Sequence, residues 1–198
     1  MKKWILAFLI ASLCLAGCRK KETEEAIKDK KEESEITIAD KKDPHAYLAS
    51  LKDRPSKEDD ILIVANGGTY NEELLDAFME KCGKKEDCDL VIARYTIEGD
   101  VIYELLVYTG TYNLYTDNSR DAFKGSDVED ECRKYLYEYS YQDEAEYDDG
   151  KGIKESRFLF MSDKDLQNDE ELQNEFVKMW SGQKSDLVIV FSDSRRVQ

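Results

Sequence analysis

The chain has 198 residues, 41% of them hydrophobic, with 29 Lys and Arg against 44 Asp and Glu, a formal net charge of −15 and one histidine. So large an excess of negative charge repels phosphate backbones and anionic headgroups, which argues against a nucleic-acid-binding role. Any Ser-His-Asp or Cys-His site would have to use the one histidine, His45, which sits beside a charged linker and reads as a solvated residue.

Residues 1–17 read as an export leader. Lys2 and Lys3 form a basic start, and Trp4 to Ala16 is an apolar run too short to span a bilayer comfortably. Leu15-Ala16-Gly17-Cys18 follows, after which the chain turns abruptly charged. This junction resembles the lipobox of bacterial lipoproteins. The resemblance implies cleavage before Cys18 and acylation of Cys18, a membrane anchor facing outside the cytoplasm. Several acyl chains on one residue satisfy the need for more than one anchoring signal. Loss of the leader takes two positive charges from −15 and leaves −17. Such a charge suits basic partners or divalent cations, and in the plainest case it suits solubility beside a membrane.

Residues 18–43 form a tether, almost entirely charged and small, with too little apolar surface to bury itself. Opposite charges spaced through Glu24 to Glu33 favour transient helix. A coil of this length has a root-mean-square span on the order of 25–30 Å.

Residues 44–198 are one domain's worth of chain. The expected fold is α+β, an antiparallel β-sheet of about five or six strands with two or more helices packed on it. His45 to Leu51 reads as a short helix and Ile61 to Ala65 as a buried strand. Asn66-Gly67-Gly68 breaks that strand; without a Walker Lys or a Gly-x-Gly-x-x-Gly pattern it is a plain turn. Thr69 to Glu72 fits a capping box, with Asn71 as an alternative cap. The helix that follows, to about Cys82, carries Leu74, Leu75, Phe78, Met79 and Cys82 on one stripe, and Gly83 is the natural stop.

Three strands come next. Asp89 to Ile97 places Val91, Ala93, Tyr95 and Ile97 on one face and Leu90, Ile92, Arg94 and Thr96 on the other. Glu98-Gly99 turns the chain into Val101 to Tyr108, and Thr109-Gly110-Thr111 turns it again into Tyr112 to Thr116, a more polar strand expected nearer a sheet edge. Connections this short force antiparallel neighbours. The polar stretch Asp117 to Asp121 admits two readings. It is a cation loop with Asp117, Ser119 and Asp121 as alternating oxygen ligands, or a turn bonded to its own backbone. Ala122 and Val128 stand where the EF-hand pattern needs Gly and Glu, so the turn is favoured.

Beyond the meander, Tyr135, Tyr137, Tyr139 and Tyr141 alternate with Lys134, Leu136, Glu138 and Ser140, the period of a strand. A tyrosine face of this kind is either a contact patch or a half-buried sheet face, and the second is favoured. Gln142 to Lys154, acidic and holding Gly150 and Gly152, reads as a loop, and Arg157 to Met161 as another strand. Asn168 to Trp180 is a second helix with Leu172, Phe176, Met179 and Trp180 on its stripe. Asp186 to Phe191 is the most apolar late strand. Glu-Glu-Leu followed by Asp-Leu-Val-Ile occurs twice, from Glu72 and from Glu170, which fits either a degenerate repeat or shared helix-then-strand chemistry.

Cys82, Cys88 and Cys132 remain once the leader is gone and Cys18 is lipidated, and an exported compartment permits disulfides. A Cys82–Cys88 bridge is favoured over either residue bridging to Cys132. Zinc lacks a fourth ligand, so no metal is expected, and nothing calls for a cofactor. A carboxylate glycosidase would draw on Glu98, Asp100, Asp117 or Asp121, but acids are too abundant to mark a pair.

Arg94-Tyr95-Thr96-Ile97-Glu98-Gly99-Asp100 and Tyr115-Thr116-Asp117-Asn118-Ser119-Arg120-Asp121, together with the lipobox, resemble a family of small bacterial lipoproteins, mostly Gram-positive, whose domain has no assigned activity. The resemblance runs from about Ile61 to Cys132. It implies a lipid-anchored α+β domain and supplies no catalytic residue. The resulting expectation is a non-catalytic binding module at the cell envelope. Its partners would be the membrane, through Cys18, and an envelope protein or wall component. The alternatives are a wall-glycan hydrolase and a divalent-cation-binding domain.

Overall fold

The computed structural model describes residues 43–65, 68–95, 100–121 and 130–197. The leader, Cys18 and the tether lie outside the described residues, as do Asn66-Gly67, Glu98-Gly99 and the segment after Asp121. Among the described residues there are three helices and nine strands, in the order α1 (Pro44–Ser50), β1 (Leu62–Ala65), β2 (Gly68–Tyr70), α2 (Glu72–Gly83), β3 (Cys88–Tyr95), β4 (Val101–Tyr108), β5 (Tyr112–Asp117), β6 (Glu131–Arg133), β7 (Tyr135–Tyr147), β8 (Gly150–Ser162), α3 (Asp169–Trp180) and β9 (Val188–Val197).

The fold is α+β, but its strands divide into two sheets. One has six strands in the order β2-β1-β3-β4-β5-β6, and the other has three in the order β7-β8-β9. The expected antiparallel sheet is corrected to a mixed one, because β1 and β3 run parallel with Leu62 opposite Ile92 and Ile63 opposite Ala93. The cause is the connection. Only a few residues separate β3 from β4 and β4 from β5, which forces antiparallel pairing, whereas β1 reaches β3 through β2 and α2, a crossover long enough to bring the chain back in the same direction.

Alternation along the meander assigns its two faces as expected. On one face Ile63, Val91, Ala93, Val101, Tyr103 and Leu105 are buried beneath Leu48 of α1. On the other, Leu62, Leu90, Ile92, Leu106, Tyr108 and Leu114 pack against Leu75, Phe78 and Cys82 of α2 and against Leu159, Met161, Val190 and Phe191 of the three-stranded sheet. The far face of that sheet presents Phe158 and Phe160 to Leu172 and Phe176 of α3. The result is a layered body, with α1 outermost on one side and α3 on the other.

A charge pair sits between the sheets. Arg94 Nη2 donates to Glu104 Oε2 at 2.8 Å and to the Val190 carbonyl at 2.9 Å, across the β3–β4 ladder and onto β9. Burial pushes the Glu104 carboxyl up, against the charge and hydrogen bond of Arg94. An ion pair at this depth contributes less to stability than to fixing how the two sheets meet, since desolvation offsets most of its attraction.

Local chemistry departs from expectation at three places. Asn71 stands at the N-cap of α2 in a left-handed conformation, φ 62°, and makes no side-chain cap bond. Its Nδ2 instead donates to the carbonyls of Asp59 and Ile61, tying the helix start to the chain before β1, so the capping box does not form. Gly83 belongs to α2, and the reversal comes later, at Lys85 with φ 61°. The acidic segment from Gln142 to Lys154 is not a loop. β7 and β8 pair continuously from Tyr135–Ser162 to Tyr147–Gly150, leaving Asp148-Asp149 as the turn. A Cβ at Gly152 would lie 2.9 Å from Arg196 Nε and 3.0 Å from the Tyr147 ring, so a side chain there would displace Arg196 from its place over Tyr147.

Candidate functional site

The cleft that gathers the most varied chemistry lies along β9, where the three-stranded sheet meets the end of the β1–β2 hairpin. It encloses about 410 Å³ and is lined by Val64, Ala65, Gly68, Tyr141, Lys154, Ser156, Phe158, Trp180, Ser192, Asp193 and Ser194. Register explains the gathering. Tyr141, Ser156 and Ser194 lie opposite one another across β7, β8 and β9, and Phe158 lies opposite Ser192 on the next rung of the same face. The Phe176 ring covers that face, 5.2 Å from Phe158 and 6.1 Å from Tyr141. Trp180 is one helical turn beyond Phe176, with the two rings 5.9 Å apart.

Trp180 is the residue that periodicity misplaces. Its spacing puts it on the apolar stripe of α3, yet it is 63% exposed, because the sheet beneath has already given way to the cleft. The polar lining divides into used and unused groups. The Ser156 and Ser194 hydroxyls bond each other at 2.9 Å. Among the described residues, Lys154 and Ser192 have no side-chain hydrogen bond or ion pair, while the charge of Asp193 acts on Arg195. The cleft therefore offers an aromatic surface, the Ser192 hydroxyl and the Lys154 cation, with Asp193 at its margin. No sequence motif marks it, although the alternation Ser192-Asp193-Ser194 directly after an apolar strand is the trace it leaves.

A second groove, about 480 Å³, lies beside α3 and is lined by Lys164, Asp165, Leu166, Glu171, Asn174, Glu175 and Lys178. Two of its acids, Glu171 and Glu175, are committed. Glu175, 6% exposed, accepts from Lys164 Nζ and Lys178 Nζ, both at 2.8 Å, and from the Ser185 hydroxyl. The bonds from Lys164 and Lys178 hold its carboxyl down at about 2. Glu171 accepts from the Gln167 amide at 3.0 Å. A carboxyl held this low is not a general acid near neutral pH.

The sequence-marked residues fall at separate places. At Asp117, Oδ1 accepts from the Ser119 amide at 2.9 Å and Oδ2 accepts from Arg120 Nη1 at 2.6 Å. Arg120 in turn donates to the carbonyls of Leu48, Ala49 and Leu51, so the loop clips the end of α1 onto the sheet. Among the described residues no group of three or more His, Cys, Asp and Glu is arranged to hold a metal ion. His45 is not a bare linker residue, since its Nε2 lies 3.0 Å from Asp130 Oδ2. The tyrosine face of β7 is half-buried under α3, and the Tyr137 hydroxyl bonds protein, donating to the Lys164 carbonyl and accepting from the Leu166 amide.

Cys82 and Cys88 come together as free thiols with their sulfurs 3.5 Å apart, inside the core. Cys132 is exposed. It lies opposite Asn113, so it shares that residue's face of the sheet, whereas Tyr112 and Leu114 point to the face where the other two cysteines pack.

No family model matches this chain, and no curated protein and no solved structure matches it significantly.

Proposed function

We propose that this is a lipid-anchored extracytoplasmic binding module, held at the membrane through Cys18, whose ligand sits in the cleft along β9. The anchor rests on the leader and on the Leu15-Ala16-Gly17-Cys18 junction. The binding site rests on one observation, the exposed Trp180 standing over an open cleft with the Ser192 hydroxyl and Lys154 in its wall. An exposed aromatic beside hydroxyl donors suits a ligand with a flat apolar face and a hydroxyl-rich rim, which describes the sugar rings of a wall component.

A glycan hydrolase needs two carboxyls roughly 5–10 Å apart across the bond it cleaves, one of them with a raised pKa. The lining of this cleft carries one carboxylate, Asp193. The buried carboxyl that is pushed up, Glu104, is paired with Arg94 between the sheets. Those two facts favour binding over hydrolysis.

The test is cross-linking in intact cells, followed by capture of the full chain and identification of what is attached, in parallel with Trp180→Ala. Because Trp180 is mostly exposed, the substitution should leave stability within about 0.5 kcal/mol. Loss of a reproducible attached wall fragment or envelope protein in Trp180→Ala supports the cleft. Undiminished attachment refutes it, and fragments shortened by the captured protein would favour hydrolysis.

A further inference from the structure

The cysteine pair remains outside any binding role. Cys82 lies in the last turn of α2 and Cys88 opens β3, joined by a short reversal through Lys85. Both side chains are buried, 8% and 4% exposed, and they pack with Phe78, Leu90, Tyr108 and Leu114. Their sulfurs need to approach by only about 1.5 Å to reach bonding distance. The movement falls at the ends of two elements, where the chain is not held in mid-ladder. Cys132 is directed to the other face of the sheet, so in the fold it can pair with neither sulfur, and in the unfolded chain Cys82 is by far the nearer neighbour of Cys88, so the shorter loop closes first.

We infer that Cys82 and Cys88 form a structural cystine in the exported protein, closed while the chain is still unfolded and then sealed inside the core. The inference rests on the export reading for its compartment and on the structure for its partners. The oxidant is a disulfide of the thiol-exchange class. The Cys82 thiolate attacks it and releases one thiol. The Cys88 thiolate then attacks the mixed disulfide at the Cys82 sulfur and releases the second. Two S–H bonds break and one S–S bond forms in the protein, while the oxidant's disulfide takes two electrons and two protons and becomes two thiols.

The order of events follows from burial. In the fold, burial and the neighbouring Cys82 push the Cys88 thiol up to about 12. Burial also raises Cys82, against hydrogen bonds from Cys88 and Tyr112. With only 8% and 4% of their surface exposed, both sulfurs are shut away from a dissolved oxidant, and thiols raised by burial are thiolate to a smaller extent than an ordinary cysteine. A bridge that closes readily must therefore close before the core does.

The experiment uses the full chain, unfolded under reductant and refolded in mixed reduced and oxidised glutathione, then acid-quenched, alkylated under denaturing conditions and cut with trypsin. Cleavage after Lys81, Lys84, Lys85 and Arg94 separates the two cysteines. A closed bridge therefore appears as the peptide Cys82–Lys84 joined to Glu86–Arg94. Separate alkylated peptides, or either one joined to the Cys132 peptide, overturn the pairing. Reduction of the closed form should lower Tm by about 5 °C. When the already folded, reduced protein is given the same glutathione mixture, closure should be at least about tenfold slower, because the oxidant must wait for the core to open; equal rates overturn the order of events. Joined peptides in protein recovered from the cell envelope support the cystine in the cell. Free thiols there, with joined peptides after refolding, overturn it in the cell and place the fault in the compartment rather than the pair.

Discussion

Removing Arg120 should detach α1 from the sheet at a cost that the geometry sets. The Arg120 side chain is 13% exposed, and its best partners are the Asp117 carboxylate, 10% exposed, at 2.6 Å and the Ala49 and Leu51 carbonyls at 2.9 and 3.0 Å. The guanidinium carbon also lies 5.2 Å from the centre of the Tyr103 ring. Asp53 is 94% exposed and its 3.3 Å contact is worth close to nothing. Arg120→Ala leaves a mostly buried carboxylate bonded only by Ser119 and removes the donor from the carbonyls at the end of α1. Charge-assisted bonds at this depth put the loss at about 3 kcal/mol. At a urea slope of about 2 kcal/mol per molar, the unfolding midpoint should fall by about 1.5 M, while Asp53→Ala should barely move it. Lys at position 120 cannot fork between carboxylate and carbonyls and should recover less than half. The gap between wild type and Arg120→Ala also has a pH sign. Burial pushes the Asp117 carboxyl up, but the bonds from Ser119 and the charge of Arg120 outweigh it and hold it below its ordinary value. A group depressed in the fold stabilises fully above its unfolded pKa and loses that contribution as pH falls through the folded one, so the gap should narrow in acid. A midpoint shift below about 0.5 M, or an equal shift in Asp53→Ala, refutes the clip. Calcium that raises the wild-type midpoint refutes the turn reading of Asp117, Ser119 and Asp121.

Other substitutions test other layers. Phe176→Ala removes the ring that joins α3 to Tyr139, Phe158 and Phe160, and should cost about 3–4 kcal/mol in denaturant melts; a cost under about 1 kcal/mol would mean that α3 is not seated on this sheet. Glu175 has a carboxyl depressed from 4.5 to about 2, so its stabilisation is present above the ordinary value and is lost as pH falls between the two. Glu175→Gln should accordingly flatten the acid limb of the stability curve in that window, and an unchanged limb contradicts the Lys164–Glu175–Lys178 bridge. Cys18→Ala should release the protein from membranes or leave its leader uncut, as read by fractionation and intact mass; membrane attachment with a cleaved leader ends the anchor proposal.

The meander was legible because two signals agree there. Residues alternate along β3 and β4, and short turns allow only one pairing, with Gly110 supplying φ 89° where the chain reverses into β5. β2 was invisible because Gly68-Thr69-Tyr70 has neither length nor an apolar face, whereas the parallel pairing of β1 with β3 was open to reading from the strand-helix-strand order, since a crossover through a helix returns the chain in the same direction. The outer half of the β7–β8 hairpin was read as a loop for a related reason. Its side chains from Gln142 to Glu155 are mostly exposed on both faces, so selection for a buried face leaves no period to read. The cysteine pair was legible from spacing alone, since a helix end and the next strand's start are neighbours whatever the sheet order. The cleft was not, because periodicity tells which side of α3 is apolar and not where the sheet beneath it ends.

The cleft depends on a single irregularity. Along β9, Ile189 lies opposite Phe160, but Phe191 rather than Val190 lies opposite Leu159, so Val190 is an extra residue in the ladder. Without it, strict alternation would put Phe191 and Asp193 on the face beneath α3 and send Ser192 and Ser194 between the sheets. The bulge exchanges them. Val190 and Phe191, both fully buried, enter the core together, and Ser192 and Ser194 emerge on the face that lines the cleft. An extra residue leaves its carbonyl outside the ladder, and that cost would be prohibitive in the core without a donor. Arg94 supplies the donor, at 2.9 Å, while Glu104 neutralises it. The buried charge pair, hard to justify by stability, is thus the support that lets an apolar strand run Val188-Ile189-Val190-Phe191 change sides in mid-course and end as the wall of a polar site.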